Sequence, residues 1–214
     1  MNFDLGPIAI GGIGGSGTRV AAQILSNLGY YLGGTLNEAL DNLWFTLLFK
    51  RPVWFLTFPS DEEVSNALTL FRRAMTAGLS HRISKAEEAY LWGVAAEAQR
   101  FGSPIGVMSQ HAEQLINSVA PGHAKYTGWG WKEPNTHVFL RQLCLEINNL
   151  TYIHVIRHGL DMAFSANRQQ AQNWGPHFGI ERDRLEDPVP SAMLDYWIAA
   201  NESVIGNGSA LLND

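Results

Sequence analysis

The chain has 214 residues, a length that suits one α/β domain with a sizeable core. With 15 Lys and Arg against 20 Asp and Glu, the formal net charge is −5, which excludes the broad basic face that nucleic acid requires but not a small local anion site. Hydrophobic content of 46% excludes disorder and fibre, the single cysteine, Cys144, excludes an intramolecular disulfide, and no apolar run reaches membrane-spanning length.

Residues 7–11, "PIAIG", read as a buried strand that breaks into the glycines of "GGIGGSG". "GTRVAAQILSNLG" has helical spacing and a terminator at Gly29. "GYYLGGTLNE" makes a poor strand, and "TLNEALDNLWFTLLF" is mixed and aromatic. Ser60 with Glu63, and Ser84 with Glu87, form capping-box patterns ahead of "VSNALTLFRRAMTAG" and "EAYLWGVAAEAQRFG". "SQHAEQLINSVAPG" suggests a helix ending before Pro121. "YTGWGWKEP" suggests a short strand stopped by Pro134. "NTHVFLRQLCLEINN" has amphipathic helical spacing with Asn135 or Thr136 as cap, and places Cys144 among buried apolar neighbours. "LTYIHVIRHG" is the clearest buried strand, "LDMAFSANRQQAQ" returns to helix, "AMLDYWIAANESVIGNG" is a last helix, and "SALL" starts a strand.

Strands alternating with helices predict an α/β fold whose mostly parallel sheet is flanked by helices, with residues 1–214 as one domain. In such sheets ligands bind outside the carboxyl ends of the strands. Three strands end in chemistry: the glycine loop, "WKEP" and "RHG". The fold is therefore expected to bring residues 12–19, 132–136 and 157–165 to one rim.

Five glycines between Gly11 and Gly17 are more than a turn needs. A strand, a glycine loop and a helix N-terminus make an anion site, with amides pointing inward and the helix dipole favouring negative charge. Backbone amides of Gly15 to Thr18 are expected donors, joined by the Ser16 and Thr18 hydroxyls and the Arg19 cation. "GGIGGSGTR" departs from the nucleotide-hydrolysing P-loop because no lysine precedes its threonine. Gly12, Gly14 and Gly17 fit the dinucleotide pattern G-x-G-x-x-G, but that fold needs a second strand ending in an acidic residue, and Glu38 follows a turn-like stretch.

"GGSGTR", "WKEPNT" and "VIRHGLDMAFS", in that order, resemble the sulfotransferases that use 3′-phosphoadenosine 5′-phosphosulfate. In that family an S-G-T loop, here Ser16, Gly17 and Thr18, holds the 5′-phosphosulfate. A strand ending in arginine, then an aspartate and a serine at the spacing of Arg157, Asp161 and Ser165, serves the 3′-phosphate. The resemblance covers roughly residues 7–206 and implies a P-loop nucleotide hydrolase-like architecture. It implies 3′-phosphoadenosine 5′-phosphosulfate as co-substrate, adenosine 3′,5′-bisphosphate as product, and Gly14, Gly15, Ser16, Gly17, Thr18, Arg19, Arg157 and Ser165 as the donor site. One departure is Gly15, where many members carry lysine or arginine. It motivates an alternative, a non-catalytic nucleotide-binding relative. The family's later adenine-side loop is also not evident, and a fuller member would continue with a further strand.

Sulfuryl transfer needs donors for the sulfate oxygens, a cation at the leaving oxygen and a base for the acceptor proton. Lys132 is the expected cation, with Arg19 as substitute for the missing loop cation. Glu38 is the first choice of base and Glu133 the second, because neighbours on a strand point to opposite faces. Asp41 shares a helical face with Glu38, His111 and His137 are weaker choices, and Asp161 is expected to orient Arg157. No His, Cys and carboxylate cluster has metal-ligand spacing, and the reaction needs no metal. In "LWFTLLFKRPVWFLTF", Trp44, Phe45, Phe49, Trp54, Phe55 and Phe58 are mostly core, with some expected to line an apolar acceptor pocket. The resemblance implies an acceptor hydroxyl or amine on a small molecule, glycan or lipid, and the sequence does not choose among them. The N-terminus lacks a basic region before its apolar residues, so a cytoplasmic protein is expected.

Overall fold

The computed structural model describes residues 6–100, 106–122, 125–187 and 189–211. Four strands form an all-parallel sheet: β1 (Ile8–Gly11), β2 (Tyr30–Tyr31), β3 (Gly128–Lys132) and β4 (Thr151–His154), in the order β2-β3-β1-β4. β1 sits in the middle, with Ile10 beside Lys132 on one side and Ile153 on the other. The three strand ends picked out in the sequence are therefore adjacent. Side chains alternate along each strand. Ile8, Ile10, Tyr30, Ile153 and Val155 pack with Ala22 and Leu25 of α1 (Thr18–Asn27). Ala9, Tyr31, Trp129, Trp131 and Tyr152 face a larger core. That core is filled by α2 (Leu43–Phe49), α3 (Pro52–Leu56), α4 (Asp61–Thr76), α5 (Lys85–Arg100), α6 (Val107–Ile116) and α7 (Leu140–Glu146).

The Ser60–Glu63 capping box forms with both reciprocal bonds, and Ser84 and Glu87 exchange the same pair. Of the aromatic run, all but Phe58 are buried in the large core, and Phe58 is exposed. The end of the predicted helix "EAYLWGVAAEAQRFG", at 101–102, lies outside the described residues.

Several elements differ from the sequence reading. "GYY" does supply a strand, because an edge strand of two residues needs only one partner, β3. The segment after "WKE" opens as a 3-10 turn over Pro134–Phe139, and the helix proper starts at Leu140. Its cap is Glu133, whose side chain accepts from the Asn135 amide, while Pro134 lacks the N–H that would otherwise need a partner. β4 is half-buried rather than buried, since it is an edge strand paired only with β1. The "LDMAFSANRQQAQ" helix is broken into α8 (Gly159–Ala163) and α9 (Gln169–Trp174). Ser165 Oγ accepts from the Asn167 amide at 3.2 Å, a local turn that competes with helix continuation. After a 3-10 turn (Gly175–Phe178) and α10 (Asp183–Glu186), the last helix, α11 (Pro190–Leu211), absorbs "SALL". Gly206 and Gly208 weaken that helix by about 1 kcal/mol each but do not stop it. Cys144 is half-buried against the core, and burial pushes its thiol pKa up. Among the described residues no helix is long and apolar enough to cross a membrane.

Candidate functional site

The glycine loop leaves β1 at a point where side chains have no room. A Cβ on Gly12 would collide with the Val155 carbonyl beyond β4, and Gly12 has φ +151°. This closeness lets the Gly12 amide donate to the Pro134 carbonyl at 3.1 Å, tying the loop to the turn after β3. Gly15 has space around it but φ +95°, a left-handed backbone in which lysine or arginine would be strained. Gly17, also left-handed, caps α1.

Three segments meet at this loop, as the strand order requires. Arg157 Nη1 reaches the Gly15 carbonyl at 3.5 Å, and Gln170 Oε1 accepts from the Gly14 amide at 2.9 Å. The loop, the turn after β3 and the α8–α9 connection border a cleft of about 410 Å³. Its walls include Gly14, Gly15, Gly17, Thr18 and Arg19 from the loop and α1, Lys132 to Asn135 after β3, and Asn167, Gln169 and Gln170 before and on α9. Ala39 and Asp41, from the β2–α2 connection, and Lys50 complete it.

Within the loop the Ser16 amide is not a free donor, because it bonds the Ile13 carbonyl at 3.0 Å. The Gly15 and Gly17 amides have no protein acceptor among the described residues. Ser16 Oγ is buried and likewise without a partner among them. The two amides belong to exposed residues and present donors suited to an anion, whereas the Ser16 hydroxyl is turned inward beside Gly12.

Lys132 is 2% exposed at the end of β3. Its ammonium donates to the Ala39 carbonyl at 3.0 Å and forms an ion pair with Asp41. The connection that presents these partners is built by Asn37. Its Oδ1 accepts from the Ala39 and Asp41 amides, and Leu40 takes a left-handed φ of 62°. That tight turn aims Ala39 and Asp41 at Lys132. Glu38, at its outer corner, is exposed and not among the residues lining the cleft.

Glu133 is also 2% exposed, yet it lines the cleft together with Lys132. Its backbone is still extended (φ −152°, ψ 125°) and its amide still bonds the Ile10 carbonyl of β1, so the turn begins only at Pro134. Its oxygens accept from the Asn135 amide at 2.6 Å and from Asn135 Nδ2 at 2.8 Å. Burial pushes its carboxyl pKa up to about 7, against the smaller opposing pull of Lys50. A carboxyl that titrates near neutrality inside a cleft is suited to proton transfer.

Arg157 is half exposed, with Asp161 at 3.6 Å holding its Nε from one helical turn on, as the sequence suggested. Ser165 sits in the α8–α9 connection, so it does not share a helix edge with Arg157. Ser16, Arg157 and Ser165 border the loop region without lining the cleft itself. His137 lies behind the site, its Nδ1–H donating to the Pro134 carbonyl at 2.8 Å, and burial lowers its pKa to about 4. His111 is buried on α6, away from the cleft. Among the described residues no group of His, Cys, Asp and Glu could hold a metal ion.

Sequence reasoning missed Lys50, Asn135 and Gln170. Asn and Gln carry no motif of their own, and Lys50 arrives through the aromatic run that precedes it. A search for polar residues just beyond the predicted strand ends would have flagged Asn135, whereas Gln170 lies inside a predicted helix and carries no such signal. Comparisons with protein-family models, with curated proteins and with solved structures found no match.

Proposed function

We propose that this chain is a sulfotransferase that moves a sulfuryl group from 3′-phosphoadenosine 5′-phosphosulfate to a hydroxyl or amine, on a P-loop-like version of the parallel α/β fold. The observation that carries the reading is the meeting of three strand ends at the glycine loop, linked by Gly12 to Pro134 and Gly15 to Arg157, with the loop and the end of β3 lining one cleft. These are the segments whose motifs resemble that family. The exposed, unpaired Gly15 and Gly17 amides fit the phosphosulfate end of the donor.

The donor supplies the sulfuryl group and a phosphate leaving group. The sulfur–oxygen bond to the phosphate breaks, its electron pair stays on the phosphate oxygen, and a new sulfur–oxygen or sulfur–nitrogen bond forms to the acceptor. In this reading the loop amides, with Arg19 beside them, hold the transferring group's oxygens. Lys132 meets the charge that develops on the leaving oxygen. Glu133 accepts the acceptor's proton, a role for which it is better placed than Glu38 because it lines the cleft and its pKa is raised. Arg157 serves the 3′-phosphate.

A second reading, a non-catalytic nucleotide-binding relative, draws on one observation: Asp41 already neutralises Lys132. Calorimetric titration with adenosine 3′,5′-bisphosphate, followed by radiolabelled donor turnover on a panel of alcohols, phenols, sugars and amines, separates the two. Binding with turnover supports the transferase. Binding with no turnover on any acceptor favours the second reading, and no binding removes both.

A further inference from the structure

A continuous chain of side-chain hydrogen bonds joins the glycine loop to Glu133. The Gly14 N–H donates to Gln170 Oε1 at 2.9 Å, Gln170 Nε2 donates to Asn135 Oδ1 at 2.7 Å, and Asn135 Nδ2 donates to Glu133 Oε1 at 2.8 Å. A second donor, the Tyr196 hydroxyl, faces the same Gln170 oxygen at 3.5 Å.

The polarity of this chain is fixed at its origin. A backbone N–H can only donate, so Gln170 must turn its oxygen to Gly14. Its NH₂ group then faces Asn135, which must answer with its own oxygen. Asn135 is left presenting its NH₂ to Glu133, while its backbone amide donates to the other Glu133 oxygen at 2.6 Å. Both carboxyl oxygens therefore meet donors, an arrangement that favours the charged carboxylate. Without Gln170, the Asn135 amide is free to rotate by half a turn and offer Glu133 an acceptor instead.

We propose that Gln170 and Asn135 are positioning residues that transmit the donor-only character of the Gly14 amide to Glu133 and hold it in its proton-accepting form. The proposal rests on the reading of Glu133 as the base. A ligand oxygen that captures the Gly14 N–H releases Gln170, so occupancy of the loop and the protonation of Glu133 become linked. The other charged and titratable groups around Glu133 are Lys50 at the end of α2, Asp41, Lys132, Arg19 on α1 and Tyr152 on β4. None of these is changed by substitution at position 170.

The test follows the Glu133 side-chain carboxyl by carbon NMR in glutamate-labelled protein, assigned with Glu133→Gln, and needs neither donor nor acceptor. Gln170→Met keeps size and neutrality but loses the bonds to Gly14 and Asn135, together with that from Tyr196. It is expected to raise the proton affinity of Glu133 about threefold to tenfold, and Gln170→Glu is expected to raise it further. An unchanged titration in folded Gln170→Met would overturn the proposal. If that variant does not fold, the wild-type protein decides: the Gln170 and Asn135 side-chain NH₂ signals and the Gly14 amide signal should shift at the Glu133 midpoint. Signals that ignore that midpoint would overturn it equally. Because no turnover is read, failure here leaves sulfuryl transfer standing, and failure of sulfuryl transfer leaves this coupling measurable.

Discussion

Asp41 forms an ion pair with Lys132 inside the cleft, with the lysine side chain 3% exposed and the aspartate 20%. The cation proposed for the leaving oxygen is thus held in place by an anion that also reduces its field. Asp41→Asn is expected to leave Lys132 on the Ala39 carbonyl and strengthen anion binding. The gain should be roughly tenfold, the scale of one partly screened unit charge. Lys132→Ala, which leaves Asp41 without its partner, should weaken anion binding and cost about 10²–10³ in turnover on every acceptor. Calorimetry with adenosine 3′,5′-bisphosphate reads the first effect, and weaker binding by Asp41→Asn would contradict it. If Lys132→Ala is nearly silent while Arg19→Ala is severe, the leaving-group cation is Arg19.

Arg157 offers a test of nucleotide choice. Its side chain is 48% exposed and, among the described residues, anchored only by Gly15 and Asp161, so it is available to an incoming phosphate. Arg157→Ala should weaken adenosine 3′,5′-bisphosphate by about 1.5–3 kcal/mol, the scale of a hydrogen bond to a charged group. Adenosine 5′-phosphate should bind almost unchanged. Equal losses for both nucleotides would remove Arg157 from the 3′-phosphate role.

What the sequence made legible follows from range. The capping boxes at Ser60 and Ser84, the glycine loop and the three chemistry-bearing strand ends depend on residues close in sequence, and each stands where the pattern put it. Lys132 and Glu133 at the cleft were legible for the same reason. The base was harder, because Glu38 and Asp41 lie three residues apart and only the Asn37 turn decides which faces Lys132. The break between α8 and α9 was hidden because Ser165 can serve a helix or a turn, and the turn wins through a single bond to Asn167. Gln170 was invisible because its role depends on a loop 156 residues away.

Stability should depend on pH through the buried histidines. Burial lowers the pKa of His137 to about 4, below its ordinary value of 6.5, and lowers those of His154 and His177. The folded state then binds fewer protons than the unfolded chain between about pH 6.5 and 4. The stability present above 6.5 is lost as pH falls through that window. Glu133 acts oppositely: with its folded value raised to about 7, it destabilises as pH rises from 4.5 to 7. The wild-type slope is a difference of these effects, so a variant is needed to isolate one. Urea unfolding at pH 7 and pH 5 should show His137→Gln losing about 2 kcal/mol less than wild type over that step. Equal losses would mean that His137 is protonated in the folded protein.

Glu133 and Glu38 can be separated by their rate profiles. If Glu133 takes the proton, turnover on an alcohol should rise through about pH 7, where its carboxyl deprotonates, and level off above. Glu133→Gln keeps one acceptor for Asn135 and removes the base, so the alcohol rate should fall about 10²–10⁴-fold and lose that pH dependence. An acidic phenol needs less help losing its proton, and its rate should fall much less. Affinity for adenosine 3′,5′-bisphosphate should stay within a few-fold, because the loop amides and Arg157 are untouched. Glu38→Gln, at an exposed corner outside the cleft, should leave all four measurements as in wild type. A Glu133→Gln protein with an unchanged alcohol rate, beside a Glu38→Gln protein with little, would return the base to Glu38. That result would require the Asn37 turn to open when the acceptor binds, because in its present form the turn points Asp41, not Glu38, at the cleft.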